Sequence, residues 1–268
     1  MRAGGLPILT YHAFDSSGAV TATDPAWFAE SLARLARAGF RAVDLEDWIA
    51  RGRPAVERGF ALTIDDGLRS ILRVSDALAR YGACATVFLV TDRVGADNDW
   101  PGQPAKVVRE PLLFWSELEA LGSIGVRFAS HGRTHRPLDA CDDESLECEL
   151  RDSRDAVEQR LGRACPLFAY PYGRSNPRVR NAVRRHYAAA FGTRLDTTDD
   201  AQGLDQLSRI DAYYLRSSRA LDRLISGRLH GWLRLRRTLR EGRSALEKRL
   251  SGQNALMGSA GGPRSFSW

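Results

Sequence analysis

Short apolar runs and longer amphipathic stretches alternate along the chain. Leu6 to Tyr11, Phe40 to Val43, Phe60 to Ile64, Cys84 to Val90, Val126 to Ser130, Leu167 to Tyr170, Ala188 to Phe191 and Leu207 to Ile210 read as strands. Cys84 to Val90 is nearly unbroken and rich in β-branched residues, the pattern of a parallel strand buried on both faces. Between the strands, Asp24 caps a helix with Pro25 at its first position, which runs through Trp27, Phe28, Leu32 and Leu35 to a stop at Gly39. Leu45 to Ala50, Leu68 to Tyr81, Trp115 to Leu121, Asp142 to Leu161 and Asn176 to His186 read as further helices, and residues 91 to 113 as a polar, Gly/Pro-punctuated loop carrying Trp100. Repeated βα units imply a parallel sheet with right-handed crossovers, and seven or eight of them suggest a barrel.

The residues able to do chemistry cluster at the ends of these strands. Asp65 and Asp66 follow one, His131 and His135 another, His12 the first, Tyr172 a fourth, and Arg209 and Asp211 the last. Barrel enzymes build their sites at that face because the loops converge there. Two imidazoles and a carboxylate can hold one face of a divalent ion and leave the other open to water and substrate. The spacing also excludes a zincin-type protease: those histidines lie on a helix with Glu directly after the first, whereas here that place is Gly132 on a strand end. A base must come from elsewhere, and the Asp65-Asp66 pair is its source. Either motif alone reads as readily as a surface histidine pair or a simple turn; together, each at the end of an apolar strand, they point to a metal site.

Thr63-Ile64-Asp65-Asp66-Gly67, Ser130-His131-Gly132-Arg133-Thr134-His135 and Phe168-Ala169-Tyr170-Pro171-Tyr172-Gly173 resemble the first three motifs of the NodB-homology polysaccharide deacetylases, carbohydrate esterase family 4. Leu9-Thr10-Tyr11-His12-Ala13-Phe14 and Leu207-Ser208-Arg209-Ile210-Asp211 are similar to the branch acting on bacterial exopolysaccharides such as poly-N-acetylglucosamine. The resemblance implies an α/β fold, a distorted (β/α)7 TIM-like barrel. It implies hydrolytic removal of N-acetyl or O-acetyl groups from a bacterial polysaccharide or lipid-linked glycan. Asp66, His131 and His135 would bind one divalent ion, Zn²⁺ first and Co²⁺, Ni²⁺ or Fe²⁺ as alternatives. Asp65 would be the base for a metal-activated water. Tyr172 matches the position whose backbone N–H stabilises the oxyanion, a donor worth about 3–4 kcal/mol.

Two departures from the family pattern matter. The arginine expected two residues before the proline is Ala169, so Arg209 is the candidate guanidinium, paired with Asp65 or Asp211; a surface salt bridge is the plainer reading. The usual Leu-x-His acid is matched only by Arg228-Leu229-His230, out of register, which leaves His12 as the candidate acid or else as a structural histidine.

A chain of 268 residues, 43% hydrophobic, fits a single catalytic domain, here 5–228, followed by a basic helix and Gly/Ser-containing tail over 229–268. No run approaches the ~18 apolar residues of a membrane span. Met1 to Pro7 leads straight into the first strand without a signal-peptide pattern, so the expected location is the cytoplasm or the inner face of the membrane. The four cysteines form no CxxC pair and read as free thiols. The net charge of +6 is concentrated after Arg216, where Arg and Lys far outnumber Asp222, Glu241 and Glu247. Leu229, Trp232, Leu233, Leu235 and Leu239 recur there at near-helical spacing. That stripe suits a helix packed on the barrel or one lying on an anionic membrane; no nucleic-acid motif accompanies it. Two other functions stay open: a 2-His-1-carboxylate Fe(II) oxygenase, and a catalytically silent carbohydrate-binding protein.

Overall fold

The computed structural model describes residues 5–103, 107–198 and 201–239. Its strands are β1 (Ile8–Tyr11), β2 (Ala13–Phe14), β3 (Ala22–Thr23), β4 (Arg41–Ala42), β5 (Gly59–Ile64), β6 (Ala85–Leu89), β7 (Arg127–Ser130), β8 (Leu167–Ala169), β9 (Ala189–Leu195) and β10 (Leu207–Asp211). The α-helices are α1 (Pro25–Arg37), α2 (Leu45–Ala50), α3 (Ser75–Arg80), α4 (Trp115–Ser123), α5 (Asp143–Leu161), α6 (Pro177–His186) and α7 (Ser218–Ile225). β5 through β10 pair in chain order, and β1 pairs in parallel with both β5 and β10, which closes a seven-stranded parallel barrel. This is the expected distorted (β/α)7 form, and it is not the all-β jelly roll typical of 2-His-1-carboxylate oxygenases. β4 pairs only with β5, beside the closed barrel, and β2 with β3 as a separate parallel pair.

The core follows from the pattern. Leu62, Val87, Phe88, Phe168, Phe191 and Ile210 on the barrel strands are nearly inaccessible, and burial of each such side chain contributes about 1.5–3 kcal/mol. Phe28, Leu32 and Leu35 of α1 face this core, and the Asp24 carboxylate accepts from the N–H groups of Ala26 and Trp27 at the helix start. In α5, Leu146, Leu150 and Val157 are buried, Asp142 caps the start, and Gly162 at φ 64 ends it. Only a residue without Cβ takes that left-handed stop cheaply.

Strand register sets the site. β1 pairs Tyr11 with Ile64, so both strands end together, and the Asp65 N–H donates to the Tyr11 carbonyl at 2.9 Å. β7 meets β8 at Ser130 and Phe168, which brings His131 beside the end of β8.

Several elements differ from expectation. Leu68 to Tyr81 is not one helix: a 3₁₀ segment, Arg69–Val74, precedes the short α3. Its first turn is claimed by other partners, since the Arg69 N–H donates to the Pro111 carbonyl (2.8 Å) and Ser70 Oγ accepts from the Phe14 N–H (3.1 Å). These bonds tie the segment to β2 and to the loop before α4. Phe40 to Val43 shortens to β4, at the edge. The basic stripe also divides. Residues 229–239 are helical, with Leu229 and Leu233 buried on the main core and Trp232 packed against it, whereas Leu235 and Leu239 are exposed. Near-helical spacing suggested one apolar stripe, but only its first part, Leu229, Trp232 and Leu233, packs on the core. The remainder of that basic segment, from 240 to 268, lies outside the described residues. All four cysteines are free thiols. No helix of the described residues is long and apolar enough to cross a membrane.

Candidate active site

Three turns at strand ends carry the site, and all three are strained. Five non-glycine residues among those described have positive φ, and three of them are Asp66 (72°), His135 (61°) and Tyr172 (58°). Each costs of order 1–3 kcal/mol and persists only where the surroundings over-determine it, which is typical of functional positions. After Asp66 the chain turns through Gly67 at φ 71, where a Cβ would lie 2.9 Å from Leu89 Cδ2, so only glycine lets the turn pack on β6. Gly173, after Tyr172, is equally constrained, because a Cβ there would collide with the Thr193 side chain.

The two adjacent aspartates face different partners. Asp65 is 3% exposed, and both its oxygens accept from Arg209, Nη1 to Oδ1 and Nη2 to Oδ2, at 2.7 Å each. Arg209 is itself 3% exposed, donates through Nε to the Gly192 carbonyl at 3.0 Å, and lies over the Phe88 ring. Of the two carboxylates suggested for Arg209, the pair is therefore with Asp65; Asp211 instead accepts from the Tyr213 N–H. Burial pushes the Asp65 carboxyl up, but the guanidinium and the nearby imidazoles outweigh it and hold the group below the ordinary aspartate range. His12 Nε2 is 3.9 Å from Asp65 Oδ2.

Asp66 Oδ1 lies 3.4 Å from His131 Nε2 and 3.2 Å from His135 Nε2. One donor atom from each of the three residues falls within 4.8 Å of the others, and all three side chains are buried. Burial again raises the Asp66 carboxyl, and the two imidazoles more than reverse it, leaving it well below the usual range. Burial lowers both histidines; the carboxylates outweigh this at His131, whose pKa is raised, but not at His135, whose pKa is lowered. The Ala169 carbonyl sits 2.8 Å from His131 Nδ1. A carbonyl can only accept, so in the neutral ring Nδ1 carries the proton and Nε2 offers its lone pair toward Asp66, the state a metal ligand needs.

The seven catalytic and metal-binding candidates are all at this mouth: Asp65, Asp66, His131, His135, Tyr172, Arg209 and His12. His186 pairs with Glu147 and the exposed His230 with Asp196. Sequence reasoning missed two side chains. Trp100, 2% exposed, brings its ring to 4.2 Å from that of His135, and Tyr172 approaches the same imidazole at 4.6 Å. Glu149, from α5, reaches the loop between the two histidines. Neither has a local signal: Trp100 sits in a loop without periodicity, and Glu149 in a helix full of charge.

The family model for polysaccharide deacetylase matches residues 52–190. That span includes Asp65, Asp66, His131, His135 and Tyr172 and leaves out His12 and Arg209, for which the geometry above stands alone. In structure the chain is similar to the Streptococcus pyogenes deacetylase PplD in complex with acetate, at TM-score 0.67 and 22% identity over 77% of this chain and 92% of that one. It is similar also to IcaB from Ammonifex degensii (TM-score 0.66, 19% identity, 84% of this chain and 97% of that one). A third likeness is to the BpsB deacetylase domain from Bordetella bronchiseptica (TM-score 0.61, 18% identity, 78% and 96%). At such identities these likenesses bear on the fold.

Proposed function

The chain belongs to the polysaccharide deacetylase family, and from that premise we propose that it removes N-acetyl groups from a bacterial polysaccharide or lipid-linked glycan. In this reading Asp66, His131 and His135 hold one divalent ion and Asp65 is the general base. One observation carries it: two carboxylates one peptide apart face two different partners, a guanidinium for Asp65 and two imidazoles for Asp66. Adjacent acids separated in this way can take separate roles, one as ligand and one as base.

The donor set fits a Zn²⁺ ion, or Co²⁺, Ni²⁺ or Fe²⁺ with the same imidazole and carboxylate preferences. When bound, such an ion lowers the pKa of water and polarises the acetyl carbonyl. The chain's own groups do the rest. Arg209 keeps Asp65 ionised and in one orientation; each carboxylate oxygen has a further lone pair to take a proton from the attacking water. The backbone N–H of Tyr172, on its strained turn, would donate to the developing oxyanion. An amide nitrogen cannot leave as an anion, so an acid must reach it. His12, beside Asp65, is that acid.

Glycans on the cytoplasmic side suit this reading, with the exposed Leu235 and Leu239 and the neighbouring Arg234 and Arg236 touching an anionic membrane. The test is acetate release from N-acetylated oligosaccharides and from acetylated xylan, with metal content measured on the same preparation. Release from the amide substrates, cut about 10²-fold or more by His12→Ala, is the expected result. Release from esters alone, or unchanged turnover in His12→Ala, would overturn the amide specificity or the role of His12 respectively.

A further inference from the structure

The loop between the two histidines is clamped from outside the barrel by one face of α5. Glu149 is 4% exposed, and its Oε2 accepts from the backbone N–H groups of Arg133 (2.8 Å) and Thr134 (3.0 Å). Its Oε1 accepts from the Thr134 hydroxyl and stands 3.5 Å from Arg136 Nε. One helical turn on, Ser153 Oγ is 2.8 Å from Ser130 Oγ, which in turn accepts from the Gly132 N–H at 3.1 Å. Two side chains at i and i+4 thus hold the backbone immediately before and between His131 and His135. A buried carboxylate with two backbone N–H donors on one oxygen is a strong, directional anchor, because charge-assisted hydrogen bonds are about twice as strong as neutral ones.

This loop needs an anchor. His135 sits at φ 61, and its Nδ1 is buried without a hydrogen-bond partner, so its own ring provides no such tether. Gly132 leaves room for the clamp: a Cβ there would approach Glu149 Oε2 to 3.3 Å. We propose that Glu149 is a positioning residue, which fixes the 132–135 turn so that His135 presents Nε2 to the ion beside Asp66 and His131. The inference rests on the reading of those three residues as metal ligands and goes beyond it by assigning the residue that orients one of them.

The test is Co²⁺ titration, followed by visible absorption and calorimetry, of wild type, Glu149→Ala, Glu149→Gln and His131→Ala, well below the melting temperature of each. Groups that orient a ligand typically change metal affinity by about 10–100-fold. Glu149→Ala should weaken Co²⁺ binding by about tenfold or more and alter the cobalt spectrum. Glu149→Gln, which keeps one acceptor oxygen for the backbone N–H groups and can donate to Thr134, should recover most of the affinity. Wild-type affinity and spectrum in folded Glu149→Ala overturn the proposal. If that variant does not fold, Glu149→Asp decides, since the shorter side chain withdraws from Thr134: weaker binding supports the proposal and wild-type binding overturns it. Absent Co²⁺ binding in wild type, or equal binding in His131→Ala, overturns the metal reading and this inference with it.

Discussion

His131 and His135 direct Nε2 at the same carboxylate oxygen, yet they are held by different means. His131 leaves β7 directly, with its Nδ1 fixed by the backbone at the end of β8 and its ring near Phe88. His135 lies beyond a turn, in a left-handed conformation, with its ring between Trp100 and Tyr172 and its loop tied to α5. The strand-end corner takes its accuracy from barrel register. The loop corner needs dedicated side chains from elsewhere in the chain. A site that extends off the sheet is only as well placed as the groups supporting its loop.

The sharpest break of the strand-end corner removes a ligand held by it. Asp66→Asn and His131→Ala should each weaken divalent-metal binding by more than about 100-fold, beyond the range for groups that merely orient a ligand. Calorimetric titration with Zn²⁺ or Co²⁺ measures this, and wild-type metal content in His131→Ala would contradict it. Asp65→Asn should separate the neighbouring role. It should lower kcat about 10²–10⁴-fold, the usual contribution of a general base, with metal affinity changed only a few-fold. Loss of metal from Asp65→Asn and its retention in Asp66→Asn would reverse the two roles.

Arg209 links base and fold. Asp65 is held below its unfolded pKa, so the pair contributes stability that is fully present above the unfolded aspartate range and is lost as pH falls through the depressed folded value. Arg209→Gln leaves a buried carboxylate without its counter-charge, which costs about 3–5 kcal/mol where such pairs are broken. Without the guanidinium, burial is opposed only by the nearby imidazoles, so the Asp65 carboxyl titrates at higher pH than in the wild type. The acid limb of the kcat profile should therefore move to higher pH, alongside a lower Tm. A profile unshifted at its acid limb would mean that another group limits turnover there.

Most of the strand-end corner was legible in the sequence, because its residues lie next to apolar runs whose ends mark the barrel mouth. Asp65, Asp66 and His131 follow such runs directly, and Arg209 occupies the third position of one. The Arg209–Asp65 pair was harder, since it joins β10 to β5 and depends on the closure through β1. The loop corner was mostly illegible. Trp100 and Glu149 act through tertiary contacts. On the strand-end side the Ala169 carbonyl that fixes His131 was equally hidden, since a backbone carbonyl leaves no trace in residue identity. The helix expected over Leu68 to Tyr81 divides where the 3₁₀ segment Arg69–Val74 gives way to α3, and nothing in its periodicity marks that break. At 229–239 the periodicity was right but its meaning divided, with Leu229 and Leu233 packed and Leu235 and Leu239 in the open.

The smallest effect belongs to Trp100. Its ring meets that of His135 at 4.2 Å with the planes inclined by 39°, a contact that limits how the imidazole can turn about its unpartnered side. Aromatic contacts of this kind contribute about 0.5–1.5 kcal/mol beyond the area they bury. Trp100→Phe keeps an aromatic face in the same apolar cluster with Leu68, Val90 and Leu112 while removing part of the contact. Metal affinity should fall by no more than about tenfold, the equivalent of that energy. Because His131 does not depend on Trp100, the remaining site should still bind the ion with wild-type stoichiometry, so titration should show a weaker Kd at unchanged occupancy. A loss as large as that from His131→Ala would mean that the two corners are held as one unit, and the distinction between sheet-fixed and loop-fixed ligands would fail.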